Sequence, residues 1–189
     1  MAPRSISDID LVARLEAVFR AVGYDGASLA TIAAATGLQK SSLYNRFPGG
    51  KQQMAAEVAA SVGIRFATDI LAPLTIDAPA AVRIGRVAAN LETFYRSGEH
   101  QCLLNMLSIG DPGVAARTNL RDGADHWITA FADVACGAGA TRDDATARAE
   151  DAVCAIEGAL VLARVTGRTD AFHRALTRLP ALLLGDSPS

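Results

Sequence analysis

SLATIAAATGLQKSSLYNRFPGGK, residues 28–51, is the stretch of sequence that decides the fold. It contains the only two lysines of the chain, Lys40 and Lys51, whereas the remaining basic side chains, histidine aside, are all arginine. Lysines gathered in one short segment favour a phosphate-binding surface, because a protein that neutralises DNA phosphates releases condensed counterions. Chance placement of two lysines is the alternative explanation.

The segment predicts two short helices around a tight turn. Ser28 is a suitable N-cap for the first of them. Gly37 ends it where a left-handed residue is least costly. The next helix is predicted from about Gln39 to Phe47, with Leu43 and Phe47 four positions apart as its core anchors. Two short helices around a glycine turn match the helix-turn-helix pattern.

A further helix is predicted upstream of this pair. It opens near Ser7, which forms a capping box with Asp10, and it ends at Gly23. Its apolar side chains repeat at 3-4-3 spacing, which predicts that one face turns toward the core. These side chains are Val12, Leu15, Phe19 and Val22.

The face of the third helix opposite Leu43 is polar. Its side chains are hydrogen-bond donors and acceptors, most of little bulk, which suits phosphates and base edges in a major groove. An ordinary solvated helix face is the alternative interpretation. The residues are Gln39, Lys40, Ser41, Ser42, Asn45 and Arg46.

Several of these features together resemble the DNA-binding domain of the TetR family of transcriptional regulators. They are Ser28, the alanines at 33–35, Gly37, the run 39–47 and Lys51. The resemblance covers about residues 6–60, and the ending at 47–51 is similar to the LmrA/YxaF-like branch. It implies an all-α protein with an N-terminal three-helix helix-turn-helix DNA-binding domain, residues 1–50. A C-terminal helical ligand-binding and dimerisation domain would occupy residues 51–189.

The resemblance also implies roles for individual residues. Ser28, Tyr44 and Lys51 would contact phosphates, and the other predicted side chains would lie at or near base edges. Gln39, Ser41 and Asn45 depart from the Ser, Gly and His common in the family, so we expect an unusual operator sequence. The alternative to a phosphate contact for Tyr44 is a structural role, in which its partly buried ring packs against and braces the N-terminal domain. The predicted DNA-binding set is Ser28, Gln39, Lys40, Ser41, Ser42, Tyr44, Asn45 and Lys51.

Apolar periodicity predicts further helices beyond Lys51. One long helix carries apolar residues at intervals of four as far as Ile70, and Pro73 with residues 75–79 is predicted as a loop. The remaining helices are predicted at about 80–96, 102–109, 114–134, 142–166 and 170–184, with a loop at 136–140. Pro180 is expected to kink or restart the last helix.

TetR-like proteins use this second part as a small-molecule receptor, so the resemblance implies that an effector binds there and releases DNA. Such release requires that the effector favour a DNA-incompetent conformation. Ordinary core packing is the alternative for each candidate residue, and an inert buried thiol is the alternative to a sensor role for Cys102. The predicted ligand-binding residues are Phe94, His100, Cys102, Leu103, Asn105, Met106, Trp127 and Phe131.

The last two predicted helices pair a smooth face of small residues with a row of leucines. This pairing resembles half of a four-helix dimer seam. A two-fold dimer would place two recognition helices about 34 Å apart, whereas packing within one chain is the alternative. The predicted dimer-interface residues are Ala155, Gly158, Ala159, Leu162, Leu176, Leu179 and Leu183.

Other function classes find little support in the sequence. No paired acid and base, Ser-His-Asp order, metal-ligand spacing or nucleotide-binding loop stands out, so no enzyme, metal or cofactor is expected. Three cysteines without metal-like spacing indicate reduced thiols and a cytoplasmic protein. No membrane-spanning run is expected.

The net charge of −2 argues against a nucleic-acid binder, but its distribution does not. Residues 1–51 carry an excess of basic side chains, and the remainder carries an excess of acidic ones. This distribution is expected of a DNA-binding N-terminal domain followed by an acidic C-terminal domain. The sequence therefore predicts a homodimeric repressor bound to a palindromic double-stranded DNA operator and released by a small apolar effector. A helical interaction module without DNA binding is the alternative, and an enzyme is a weaker one.

Overall fold

Helices make up the regular secondary structure of residues 6–185, the part of the chain that the computed structural model describes. No β-strand occurs within these residues, and the all-α prediction is confirmed. The helices are α1 (Asp8–Gly26), α2 (Leu29–Thr36), α3 (Lys40–Arg46), α4 (Gly50–Arg65), α5 (Ala80–Phe94), α6 (Leu103–Ser108), α7 (Val114–Gly137), α8 (Arg142–Thr166) and α9 (Asp170–Leu184).

The chain divides into two compact units, and the boundaries between them fall within α4, directly before α6 and within α7. The first unit contains the described residues up to Gly63 together with Leu103–Arg121. The second contains Ile64–Cys102 and the described residues from Asp122 onward. The predicted domain boundary at residue 50 stays a prediction.

Both ends of α1 follow from local sequence signals. The Ser7 hydroxyl oxygen accepts a hydrogen bond from the backbone N–H of Asp10 at 3.1 Å, so the predicted cap is confirmed. Gly23 has φ 68° and ψ −177°, which interrupts the regular helix at the predicted position. A Cβ at Gly23 would lie 3.2 Å from the carbonyl oxygen of Met106, so close packing against α6 adds a second reason for glycine.

The core of the first unit differs in one respect from the predicted face of α1. Leu15 and Phe19 are fully buried as predicted, but Val12 is only partly buried and Val22 is 44% exposed. The prediction for Val22 is wrong because the backbone leaves the helical path at the very next residue. The side chains of α1 that complete the core are Leu11 and Val18.

In the second unit, α9 packs against both α8 and α5. α8 contributes mainly small buried side chains, and α9 contributes bulkier ones. Pro180 does not restart the last helix, because α9 runs without interruption from Asp170 to Leu184. The buried residues of these two helices include Ala152, Ile156, Ala159, Ala163, Phe172, Leu176, Leu179 and Leu183.

The chain between α4 and α5 is less regular than the predicted single long helix. The α-helix ends at Arg65 and continues as a π-helical turn at Phe66–Leu71 and a 3-10 turn at Ala72–Thr75. A π-helical turn inserts an extra residue into the helix; Ile70, the last residue of the predicted spacing by fours, is nevertheless buried. Part of the predicted loop is therefore helical, and so are Cys136 and Gly137, which belong to α7.

One run of helix, Gly50–Thr75, is long enough to span a membrane and has a mean hydropathy of 1.3 in its most apolar window. No run of this length was predicted from the sequence. Core packing explains part of its apolar character, because Met54, Ala55 and Val58 are buried in the first unit.

Candidate DNA-binding interface

The turn between α2 and α3 is fixed by hydrogen bonds that the sequence encodes locally. Ser28 accepts from the backbone N–H of Thr31 at 3.1 Å and so caps the start of α2. Gly37 adopts the left-handed conformation, with φ 72° and ψ 13°, and donates its N–H to the Ala33 carbonyl at 2.9 Å. The buried hydroxyl of Thr36 donates to the Ile32 carbonyl at 2.8 Å. These contacts set the direction in which α3 leaves the turn.

Two apolar side chains hold α3 against the first unit. Leu43 is 0% exposed and Phe47, directly after the helix, is 3% exposed. Both belong to a core that also contains Ile32 of α2. Because α3 is only two turns long, this anchoring leaves its opposite side facing solvent.

The solvent-facing side of α3 is the polar face that the sequence indicates. Tyr44 is 48% exposed, and Ser42 is half-buried. Among residues 6–185 no ion pair involves Lys40, so its ammonium group is available to a ligand. The other predicted side chains of this face are also exposed, namely Gln39, Ser41 and Asn45.

Arg46, the second cation of this helix, is held by the start of α1. Its guanidinium donates to the Ile6 carbonyl at 3.0 Å and forms an ion pair with the carboxylate of Asp8. The pairing compensates the charge of Arg46 locally. Lys40 therefore carries the uncompensated positive charge of α3.

Lys51 is half-buried and faces α1. Its Nζ donates to the Tyr24 carbonyl at 2.9 Å and lies 4.0 Å from the centre of the Tyr24 ring. Burial raises the pKa of the Tyr24 hydroxyl above its ordinary value, and the carboxylates of Asp111 and Asp25 raise that pKa further. The predicted phosphate contact of Lys51 stays a prediction, since the structure gives its ammonium group two partners within the protein.

Two features of this surface were missed by sequence reasoning. Arg14 donates to the carbonyl oxygens of Ala35 and Thr36 at 3.4 and 3.3 Å, and so caps the end of α2 from α1. No local pattern reveals a contact between positions so far apart in the chain. The exposed hydroxyl of Thr31 lies 2.8 Å from that of Ser28, and the three-residue spacing of the two was an available signal.

Two family models match most of the chain. The model of bacterial regulatory proteins of the tetR family matches residues 11–58, which include the helix-turn-helix. The model of the C-terminal domain of LmrA/YxaF-like transcriptional regulators matches residues 84–178, just over half of the chain. The chain belongs to the TetR family. It is a DNA-binding transcriptional regulator, as the resemblance predicted.

Solved structures of other TetR regulators share the fold. A TetR transcriptional regulator from Legionella pneumophila is similar with a TM-score of 0.84 at 20% identity, covering 97% of this chain and 100% of that one. Regulatory protein TetR from Rhodobacter sphaeroides has a TM-score of 0.78 at 21% identity, covering 93% and 97%. A cysteine mutant of CifR in complex with 26-base-pair operator DNA has a TM-score of 0.76 at 22% identity, covering 98% and 100%. No curated protein sequence matches the chain.

The predicted effector-binding residues of this TetR regulator are divided between the two units. Leu103, Asn105 and Met106 lie in α6 of the first unit, where Leu103 is part of the core. The others lie in the second unit, where the Tyr95 hydroxyl donates to the buried Cys102 sulfur at 3.3 Å. The second-unit residues are Phe94, His100, Cys102, Trp127 and Phe131.

An aromatic cluster in the second unit joins three of these residues. The ring centres of Trp127 and Phe131 are 5.9 Å apart. The ring of Phe66 links Phe94 to these two residues, because its centre lies 4.8 Å from that of Trp127 and 5.5 Å from that of Phe94. Phe66 was not among the predicted effector-binding residues, because spacing by fours assigned it to a regular helix.

The predicted dimer-interface residues fall into two groups. Ala159, Leu176, Leu179 and Leu183 are buried within the protomer, and Ala155 is half-buried. Gly158 and Leu162 are exposed and lie on one face of α8 with Val161 and Val165. The exposed fractions of the apolar side chains on this face are 37% for Val161, 54% for Leu162 and 76% for Val165.

Proposed function

We propose that this TetR-family regulator is a homodimeric repressor that binds a palindromic operator through α3 and is released from it by a small apolar effector. The observation that supports DNA binding most directly is the outward polar face of α3, held in place by Leu43 and Phe47. An α-helix presented in this way fits the width of a major groove.

The exposed side chains of the helix-turn-helix divide into two kinds of contact in this proposal. Lys40, Ser41 and Asn45, with Gln39 and Ser42, lie at or near base edges. Ser28 and Tyr44 contact phosphates, since hydroxyl groups commonly position a protein on the DNA backbone. Lys51 would reach a phosphate only by sharing or leaving its bond to the Tyr24 carbonyl.

Dimerisation is proposed through the exposed face of α8. Val161, Leu162 and Val165 expose apolar surface, and exposed Gly158 allows a partner helix to approach closely. A self-complementary patch of this kind suits a two-fold interface. The resulting pair of recognition helices, about 34 Å apart, would meet successive major grooves on one side of the duplex.

The effector is proposed to bind in the C-terminal part of the chain. The aromatic side chains around Trp127 provide the apolar lining that small-molecule sites usually have. The effector releases DNA only if it binds the DNA-incompetent conformation more tightly. Regulators of this family are soluble, and we place this one in the cytoplasm without a catalytic role.

Selection of operator sequences from random double-stranded DNA with the whole chain tests the proposal. We expect enrichment of an inverted repeat whose half-sites are centred about 10 base pairs, or a multiple of that spacing, apart. Enrichment of a single half-site would contradict the dimeric mode of binding. The absence of any enriched sequence would contradict operator binding itself.

A further inference from the structure

Trp127 of α7 carries a polar N–H group that is buried in the second unit. The residue is 1% exposed, and its indole Nε1–H has no hydrogen-bond acceptor among the described residues. Buried polar groups are nearly always paired, so an unpaired N–H in an interior calls for an explanation. An indole nitrogen can only donate, which means that the group completing this site must offer an acceptor.

The surroundings of Trp127 indicate what kind of molecule carries that acceptor. Phe66 lies 4.8 Å from the indole with its plane tilted by 59°, and Phe131 lies 5.9 Å away at 74°. Phe94 meets Phe66 edge to face at 5.5 Å. Ring faces and edges in this arrangement favour a flat aromatic molecule. None of these four aromatic side chains carries a charge, and a buried carboxylate without a cationic partner would be costly, so a neutral acceptor is favoured.

The same cluster has an accessible side. Trp127 and Phe131 are buried, whereas Phe66 and Phe94 are only half-buried. The solvent-accessible edge of the cluster therefore lies at Phe66 and Phe94.

The backbone at Phe66 provides an independent indication. Phe66 begins the π-helical turn Phe66–Leu71, which Asn90 of α5 holds by donating to the Asp69 carbonyl at 2.8 Å. Single π-helical turns within helices are rare and occur often at functional sites. Here the turn begins at the residue whose ring centre lies 4.8 Å from that of Trp127.

We propose that the Trp127 indole N–H is the polar recognition group of the effector site, and that the effector is a flat, uncharged aromatic molecule with an acceptor oxygen, such as an aromatic ketone. The inference rests on the proposed function in that it assigns an effector to the C-terminal part of the chain. It adds the chemical class of the effector and the residue that recognises it.

Nuclear magnetic resonance can test this inference directly, because Trp127 is the only tryptophan of the chain and gives a single indole ¹H–¹⁵N signal. The probes are three matched pairs of a ketone and its hydrocarbon: 1-indanone and indane, 1-tetralone and tetralin, 9-fluorenone and fluorene. We expect at least one ketone to move the indole proton signal downfield and to bind about tenfold more tightly than its hydrocarbon. The inference is overturned if no ketone moves the signal, or if each hydrocarbon binds as tightly as its ketone.

A Trp127→Phe variant provides the second measurement. It keeps an aromatic ring but removes the donor, so the tenfold preference for the ketone should disappear while the hydrocarbon still binds. Circular dichroism shows whether the variant folds. If the variant does not fold, the response of the wild-type indole signal to the ketones alone decides whether the inference stands. A preference that survives in the folded variant overturns the inference.

Operator binding is measured on the same wild-type sample without probes. A chain that binds its operator but whose indole signal ignores all three ketones contradicts this inference and leaves the regulator function intact. If the indole signal responds to a ketone but the chain selects no operator, the result contradicts the proposed function and supports recognition by the Trp127 N–H.

Discussion

Lys51 and Tyr24 form a two-point contact, in which the Lys51 ammonium donates to the Tyr24 carbonyl at 2.9 Å and lies 4.0 Å from the centre of the Tyr24 ring. The contact joins the first turn of α4 to the end of α1, one residue after the break at Gly23. One of the two lysines of the chain is therefore engaged within the protein, and the other, Lys40, faces solvent on α3.

Replacing each lysine by methionine should separate these roles. Lys51→Met should lower the free energy of unfolding by about 1–2 kcal/mol, because a charged hydrogen bond and a cation–π contact are lost. Lys40→Met, the matched control, should change the free energy of unfolding by less than about 0.5 kcal/mol, because the exposed side chain has no partner to lose. Urea denaturation of both variants measures the difference, and equal midpoints would contradict the assigned contact.

Gly37 is expected to resist substitution for a purely conformational reason. Its φ of 72° is left-handed, yet a Cβ there would meet no atom within 4 Å. Gly37→Ala should therefore lower the free energy of unfolding by about 1 kcal/mol. Gly85→Ala is the control, since a Cβ on this exposed glycine of α5 also meets nothing within 4 Å and its φ is not left-handed. That change should stabilise the protein by about 0.5–1 kcal/mol, and thermal melts that shift both variants in one direction would refute the explanation.

A charge placed on the exposed face of α8 should separate the proposed dimer. Leu162→Glu would bury a carboxylate against the partner helix, so sedimentation velocity should show a shift from dimer to monomer. Val82→Glu is the control, because Val82 lies on α5 with a similar exposed fraction, 45% against 54%. A Leu162→Glu protein that remains as dimeric as the control would exclude this face as the interface.

The raised pKa of Tyr24 predicts a loss of stability in alkaline solution. The folded chain keeps the phenol proton to higher pH than the unfolded chain, whose pKa is near the ordinary value of 10.0. This contribution to stability is complete below pH 10 and is lost as the pH rises through the raised folded value. Tyr24→Phe should make the alkaline decrease in unfolding free energy shallower, whereas Tyr44→Phe, at a 48% exposed ring, should leave it unchanged. Equal slopes for the two variants would contradict the assignment.

The sequence predicted the elements that depend on local signals. Ser28, Gly37 and Leu43 define the helix-turn-helix by capping, backbone conformation and apolar spacing, and the structure places each in that role. Val22 fits the apolar period of α1 equally well, but its exposure depends on how the chain turns at Gly23. Periodicity describes a continuous helix and gives no information on the residues beside a break.

The contacts that sequence reasoning missed lie between residues far apart in the chain. Arg46 pairs with Asp8 and Lys51 with Tyr24, so two of the cations near the recognition helix are engaged by α1. The unpaired indole N–H of Trp127 could not be predicted from the sequence either, because the number of acceptors around a buried group is a property of tertiary packing. The predicted DNA-binding, effector and dimer residues remain predictions until they are tested in solution.

The salt dependence of operator affinity in a Lys40→Ala variant tests the central claim most directly. Fluorescence anisotropy on the selected operator gives the dissociation constant at several salt concentrations, with Arg178→Ala, an exposed arginine of α9, as the control. If α3 docks on DNA through its outward face, Lys40→Ala should weaken binding by about tenfold or more. Although Lys40 is placed near base edges, its charge would lie between the phosphate rows of the groove and displace condensed counterions there, so the slope of log affinity against log salt should also fall, by up to about 0.9 for each protomer, while the control matches the wild type. An unchanged affinity and slope in Lys40→Ala would contradict the assignment of this face as the DNA-binding surface.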